Sequence, residues 1–343
     1  YFWKKDCESG YYIKDPDYYI RQTFQKLIYR LNQPFMRVDQ TAFVNTSVFD
    51  RPYVESLFGG VKYPDGSYLI DDLEGFVEHQ KIYMEVMSNT HNENMFTFPV
   101  NTFSLLYNKS DGGFKDPEFA RWSSDHNVKW NDSNFFLSRD VGVLSNCCRL
   151  LCDTSKLSEG IDIATQVFNV LNDVKDNFTT DFSLNIESIP AERAAVILCQ
   201  KDNVLYNRSE DFIYSNQWIP LTVNCTIDEK LRTCSILDSK CSGGAISHIN
   251  LESNFPNNDM AWDTLNKIAE RDVIYSAFNT RTNECENHHG FVGSNICPNC
   301  GRPVFDTYQR IVGYLTPTRA YSKDRFREFN ARKWYDYANM LND

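Results

Sequence analysis

A chain of 343 residues is long enough to bury a sizeable core and fits one large domain or two moderate ones. Hydrophobic residues at 42% and aromatic residues at 14% exclude a disordered chain, and a net charge of −11 argues against a surface for a nucleic-acid polymer, though not against a nucleotide substrate. No apolar run reaches the length of a membrane span and no secretory leader is visible, so a cytoplasmic protein is expected.

In chain order, Asp15-Pro16-Asp17 is a helix start, and Ile20, Phe24, Leu27, Ile28 and Leu31 then recur at helical spacing. Leu73, Phe76, Val77, Tyr83 and Met87 form a second stripe. Ile163, Val167, Val170, Leu171 and Val174 form a third. Each stripe predicts a helix face packed on a core. The apolar runs AAVILC (194–199) and VIYSAF (273–278) read as buried strands, the second directly after a helix around Trp262 to Ile268. Helices alternating with such strands indicate an α/β architecture. Composition shifts near Asn279, where Cys, His, Gly and Pro begin to concentrate, which predicts a boundary between residues 1–279 and 280–343.

Eleven cysteines, odd in number and unevenly spaced, suit reduced thiols and metal ligands better than a disulfide framework. Within CENHHGFVGSNICPNCG, the turn Cys297-Pro-Asn-Cys300 has the spacing that lets two sulfurs face one tetrahedral ion. Cys285 with His288 or His289 supplies the other half. His288 is the first choice, because its gap to Cys285 matches that of the second pair. Gly290, Gly293 and Gly301 are expected to make the tight turns of such a knuckle. Four ligands and no open position describe a structural zinc site.

Downstream of this knuckle lies Gly313, in Arg-Ile-Val-Gly-Tyr-Leu, and far upstream the adjacent thiols Cys147 and Cys148 lie in LSNCCRLLCD. Alone, the glycine reads as a turn residue and the cysteines as small core residues. Together they allow radical chemistry. A glycine α-carbon can hold an unpaired electron shared with its flanking amide nitrogen and carbonyl. A thiol can give up a hydrogen atom and then take one from a substrate carbon.

The pairing of SNCCRL with RIVGYL after a Cys-x-x-Cys knuckle resembles the anaerobic (class III) ribonucleoside-triphosphate reductases, which are glycyl radical enzymes. TFPVNTF (97–103), FSLNIESIPAERAAV (182–196), YSNQWIPL (214–221) and GGAISHINL (243–251) extend the likeness from about Phe24 to Trp334. The resemblance implies a ten-stranded α/β barrel in residues 1–279, with the radical-cysteine loop near 144–153, and a C-terminal zinc and glycyl radical segment in residues 280–343. It implies radical storage at Gly313 and a thiyl at Cys148, with Cys147 as the alternative. The thiyl would take the ribose 3′ hydrogen, water would leave carbon 2, and a reductant, formate or a thioredoxin-like dithiol, would close the cycle. Asn146, Glu192 and Arg193 are implied as substrate contacts. Cys285, His288 or His289, Cys297 and Cys300 match a zinc site that is four cysteines in many members. Implied partners are a radical S-adenosylmethionine activating enzyme, a ribonucleoside triphosphate and a second copy of the chain.

The sequence departs from the family pattern in two places. An N-terminal regulatory nucleotide-binding region and the first barrel strands are not found, and the stretch between CCRLLCD and IPAER is short and lacks a glycine-rich run. A closed barrel therefore calls for strands from a longer chain or from a partner. Two other readings remain: a different glycyl radical enzyme acting on a small metabolite, and a non-catalytic zinc-stabilised assembly module.

Overall fold

The computed structural model describes residues 2–10, 15–33, 44–138, 162, 165–170, 173–174, 177, 192–207, 213–215, 217–239, 246–311 and 313–336. Helices whose bounds fall within the described residues are α1 (Phe2–Glu8), α2 (Pro16–Leu31), α3 (Arg51–Phe58), α4 (Leu73–Glu93), α5 (Pro117–Trp130), α6 (Glu192–Leu205), α7 (Ile227–Asp238), α8 (Asn258–Glu270) and α9 (Lys323–Ala331). Their starts follow the expected chemistry. Asp15 accepts from the Tyr18 amide at 2.9 Å with Pro16 in the first turn, and Thr226 with Glu229 makes a reciprocal capping box on α7.

The strands form two sheets. The larger takes β1 (Asn45–Phe49), β2 (Val100–Asn108), β4 (Ser133–Ser138), β6 (Tyr275–Asn279) and β5 (Ile246–Asn250) in that spatial order, with β3 (Gly113–Phe114) paired to β2. The first three run parallel, and so do β5 and β6. The two groups meet antiparallel, with Phe135 opposite Ser276 and Phe136 opposite Tyr275.

Because side chains alternate along a strand, this register sorts the sheet into two unlike faces. One carries Phe103, Leu105, Phe135, Leu137, Ile249 and Phe278, all buried in a single core with Val77, Met84 and Met87 of α4, Phe119 of α5, Leu231 of α7 and Leu265 of α8. The other carries Val100, Thr102, Asn134, Phe136, Tyr275, His248, Asn250 and Asn279, which is rich in polar groups. Two motifs of the sequence meet here, since the His248 amide donates to Gln217 Oε1 at 2.8 Å.

The smaller sheet is antiparallel throughout, in the order β10 (Leu315–Pro317), β9 (Val304–Arg310), β7 (Thr282–Cys285), β8 (Gly290–Val292). The chain crosses from one sheet to the other over residues 280 and 281. It later returns, because Tyr335 bridges to β5, its amide donating to the Asn250 carbonyl at 2.8 Å. Among the described residues no helix is long and apolar enough to cross a membrane.

Three expectations are corrected. AAVILC is not a strand but part of α6, with Cys199 buried while Ile197 and Leu198 are exposed. A six-residue apolar run carries no periodicity of its own, and the helix-favouring Gln200 and Lys201 continue it past strand length. In the third stripe the described residues are helical, but Val167, Val170 and Val174 are exposed and Phe168, off the stripe, is the buried one. Ile163 and Leu171 lie outside the described residues. Gly290, lastly, lies within β8 rather than in a turn. A Cβ there would meet Met95 Sδ at 2.3 Å and the His91 carbonyl at 2.8 Å, so glycine is needed for the close approach of α4. VIYSAF does give β6, and the preceding helix is α8.

Candidate active site and metal centre

Two hairpin-like turns face each other at one end of the smaller sheet. In the first, the His288 amide donates to the Cys285 carbonyl at 2.9 Å. In the second, the Gly301 amide donates to the Cys297 carbonyl at 2.9 Å, and Gly301 takes the left-handed conformation (φ +72°) that the turn requires. The ligand atoms of Cys285, His289, Cys297 and Cys300 lie within 4.8 Å of one another. Cys285 Sγ is 3.7 Å from Cys300 Sγ, and Cys297 Sγ is 3.5 Å from His289 Nδ1. Edges of a zinc tetrahedron built from ordinary bond lengths are about 3.8 Å for S···S and about 3.6 Å for S···N, so the four residues fit the ion. The Cys300 thiol is pulled down to about 6, first by a backbone hydrogen bond from Arg302, which favours the thiolate a metal needs.

His288, the first choice from spacing, is turned away from this cluster. It adopts φ +64°, and its Nδ1 lies 2.7 Å from Glu284 Oε1. The tight turn rotates one imidazole outward and the next inward, which a gap count does not reveal.

From the knuckle β9 runs without interruption for roughly 20 Å, pairing Thr282 with Tyr308 and Glu284 with Asp306. Its far end is fixed by Arg310, a fully buried guanidinium that donates to the Phe278 carbonyl at 3.1 Å and to the Asn131 carbonyl at 2.9 Å. Burial lowers it to about 10, so it stays charged at neutral pH. Arg332 in turn donates to the Arg310 carbonyl at 3.3 Å. Ile311, Gly313 and Tyr314 lie between β9 and β10, which pair antiparallel with Leu315 opposite Arg310.

Gly313 lies at this turn, half-buried against the polar face of the larger sheet. Its carbonyl accepts from Asn134 Nδ2 at 3.1 Å, and the Tyr314 ring stands 5.6 Å from that of Phe98. A Cβ built on Gly313 would lie 3.2 Å from Asn134 Nδ2 and 3.8 Å from both Tyr275 Oη and Val100 Cγ1. Hence TFPVNTF and RIVGYL, distant in sequence, touch in space. Below the turn is a cavity of about 20 Å³, room for a single water, bordered by His91, Asp132, Arg310 and Gly313. Burial favours the neutral Asp132 acid, but His126 Nε2 at 3.3 Å and the hydroxyls of Ser88 and Ser133 outweigh it and hold the carboxyl at about 2. Burial also keeps His91 below the usual imidazole range.

Cys147, Cys148 and Asn146 lie outside the described residues, in the chain that follows β4. Glu192 opens α6, and Arg193 is exposed in its first turn. Asn134, Tyr275, Asp132 and Arg310 were not singled out by sequence. Their only signal is polar residues inside strands, as in Asn-Asp-Ser-Asn-Phe-Phe (131–136).

The family model for anaerobic ribonucleoside-triphosphate reductase matches residues 1–172 and 153–335. A solved anaerobic ribonucleotide reductase is 30% identical with a TM-score of 0.82, covering 98% of this chain and 71% of that one. Two structures of the enzyme from Thermotoga maritima are also 30% identical with TM-scores of 0.78. The one with glycerol in the active site is covered over 96% of this chain and 72% of that chain. The one in complex with dATP and CTP is covered over 97% and 72%. No match was found among curated proteins. With matches that run through both sheets, the chain belongs to the anaerobic ribonucleoside-triphosphate reductases, glycyl radical oxidoreductases that convert ribonucleoside triphosphates to 2′-deoxyribonucleotides.

Proposed function

We propose that Gly313 is the residue on which this enzyme stores its radical, and that Cys148, with Cys147 as the alternative, is the thiol it activates. The supporting observation is the hairpin that carries Gly313, half-buried, onto the polar face of the sheet beside Val100, Asn134 and Tyr275. The absence of a side chain suits a centre that must become planar. When installed, the radical supplies a hydrogen-atom acceptor for a cysteine thiol. This chain's own residues hold the glycine: β9 links it to the knuckle, Arg310 anchors that strand, and Asn134 binds its carbonyl. A zinc ion held by Cys285, His289, Cys297 and Cys300 would fix the origin of β9 and take no part in the reaction.

The two parallel strand groups, joined antiparallel, suit part of a ten-stranded barrel with the cysteine loop at its centre. Residues 1–279 would then form the catalytic portion and residues 280–343 the zinc and glycyl radical portion. Asn146, Glu192 and Arg193 are assigned to the substrate, the last two because they open a helix whose N-terminus favours phosphate. The remaining partners are a radical S-adenosylmethionine activating enzyme, formate or a thioredoxin-like dithiol, and a second copy of the chain, in the cytoplasm.

Anaerobic activation followed by electron paramagnetic resonance tests this assignment. The wild type should give a glycyl doublet and should be cleaved at Gly313 on exposure to air. Gly313→Ala should give neither, while losing about 1 kcal/mol of stability, since its methyl presses only on the Asn134 amide. A doublet that survives in Gly313→Ala, or cleavage elsewhere, would sink it.

A further inference from the structure

We propose that Asn134 is a positioning residue for the radical, its amide holding the Gly313 carbonyl in the plane that an α-carbon radical needs. This rests on the reading of Gly313 as the storage position. Asn134 is completely buried on β4. One N–H of its amide donates to the Gly313 carbonyl and the other to Tyr275 Oη, each at 3.1 Å. Tyr275 Oη is in turn 3.3 Å from Thr102 Oγ1. The donor is thus braced by β2, β4 and β6 together. Its orientation is fixed as well, because a carbonyl can only accept, so the nitrogen and not the oxygen must face Gly313.

An unpaired electron on the α-carbon is shared with the adjacent carbonyl as long as the two remain coplanar. A donor on that carbonyl oxygen draws electron density toward it and resists rotation about the Cα–C bond. The same nitrogen is the nearest atom, at 3.2 Å, to a Cβ built at Gly313, so it lies beside the open side of the α-carbon as well as on the carbonyl oxygen. The arrangement has a cost. Among the described residues Asn134 Oδ1 is buried without a partner, a penalty an apolar side chain at this strand position would not incur. A carbonyl that must be held accounts for accepting it.

The test compares activated wild type, Asn134→Ala and Asn134→Asp by electron paramagnetic resonance under strict anaerobiosis, with zinc content and melting temperature as checks on folding. Asn134→Ala should shorten the half-life of the doublet about five-fold, the factor that corresponds to about 1 kcal/mol for one neutral hydrogen bond. Asn134→Asp, which sets oxygen against oxygen, should shorten it further. In wild type labelled with [15N]asparagine, pulsed double resonance should detect a side-chain nitrogen coupled to the radical, a readout that needs no variant to fold. An uncoupled nitrogen overturns the inference while leaving radical storage at Gly313 intact, and so does a doublet in Asn134→Ala with unchanged splitting and lifetime. A wild type without any doublet takes down both.

Discussion

The larger sheet lays one face against α4, α5, α7 and α8 and buries Phe103, Leu105, Phe135 and Leu137 completely or nearly so. Among the described residues, the smaller sheet, whose strands lie between Thr282 and Pro317, has an apolar cluster of Cys285, Phe291 and Cys297 with Val304 against them, and beyond it buries Tyr308 and Leu315. So few apolar side chains cannot offset the entropy of ordering four strands and two turns. What replaces a core is polar and coordinative. Glu284, 2% exposed, receives Tyr308 Oη at 3.2 Å and Arg319 at 3.1 Å, and Asp306 receives Arg319 at 2.8 Å. Four ligand atoms gather at the end of β7 and β9. One region is held by burial, the other by ion pairs and a Cys/His cluster fit to hold a metal, and Gly313 lies where the second touches the first.

Metal removal should separate the two most sharply. Structural zinc contributes on the order of 10–16 kcal/mol in isolated fingers, far more than the small apolar cluster can supply. Chelation, or Cys297→Ser, is expected to abolish amide-exchange protection across residues 282–317 and with it the glycyl doublet. Protection in β2 and β4 should persist. If residues 304–310 stayed protected without metal, the smaller sheet would owe its order to the ion pairs instead.

The reciprocal change is Phe135→Ala. Phe135 is 0% exposed and packs on Phe103 and Phe278 at centroid distances of 5.7 and 5.8 Å. Its loss should cost about 3–5 kcal/mol in denaturant unfolding. The zinc-to-protein ratio below the transition should not change. Loss of zinc at the same denaturant concentration as the larger sheet would mean that the two regions unfold as one unit.

How much of this was legible beforehand follows the same division. The helix starts at Asp15 and the strand in VIYSAF are local signals, and the structure has both. AAVILC failed because an apolar hexamer looks alike in strand and helix, and its neighbours decide. The knuckle was legible as a set of cysteines, since spacing encodes reach. Which histidine joins them was not, since that depends on a left-handed backbone at His288. The polar platform under Gly313 was invisible, because Asn134, Asp132 and Tyr275 acquire meaning only once β2, β4, β6 and the β9–β10 turn are side by side.

A smaller effect is expected at the joint between the regions. The Asp132 carboxyl is held at about 2, below the value near 3.9 of an unfolded chain. A depressed carboxyl stabilises the fold above the unfolded value, and the contribution disappears as pH falls through the folded one. Roughly 2–3 kcal/mol should therefore be present above pH ~4 and lost between pH ~4 and ~2. Melting temperatures of wild type and Asp132→Asn should differ near neutrality and converge at the acid end. Parallel curves across that window would mean that His126, Ser88 and Ser133 do not hold the carboxylate as their geometry indicates.

The smallest expected effect tests the metal end alone. His288 has 61% of its side chain exposed and meets Glu284 rather than the sulfurs. Asn tolerates the left-handed backbone found at that position, so His288→Asn removes the imidazole without straining the turn. The lost contact is one hydrogen bond to Glu284, which keeps Tyr308 and Arg319 as partners; it is worth about 1 kcal/mol, and zinc affinity should stay within a few-fold. His289→Ala deletes a ligand whose nitrogen is 3.5 Å from Cys297 Sγ. It should weaken zinc by at least about 100-fold, beyond the 10–100-fold typical for losing a group that merely supports a ligand. Competition with a chelator measures both. The inverse ranking would restore the ligand that spacing alone suggests, and would mean that the turn carrying the two histidines is rotated from the conformation in which Cys285, Cys297 and Cys300 converge on His289.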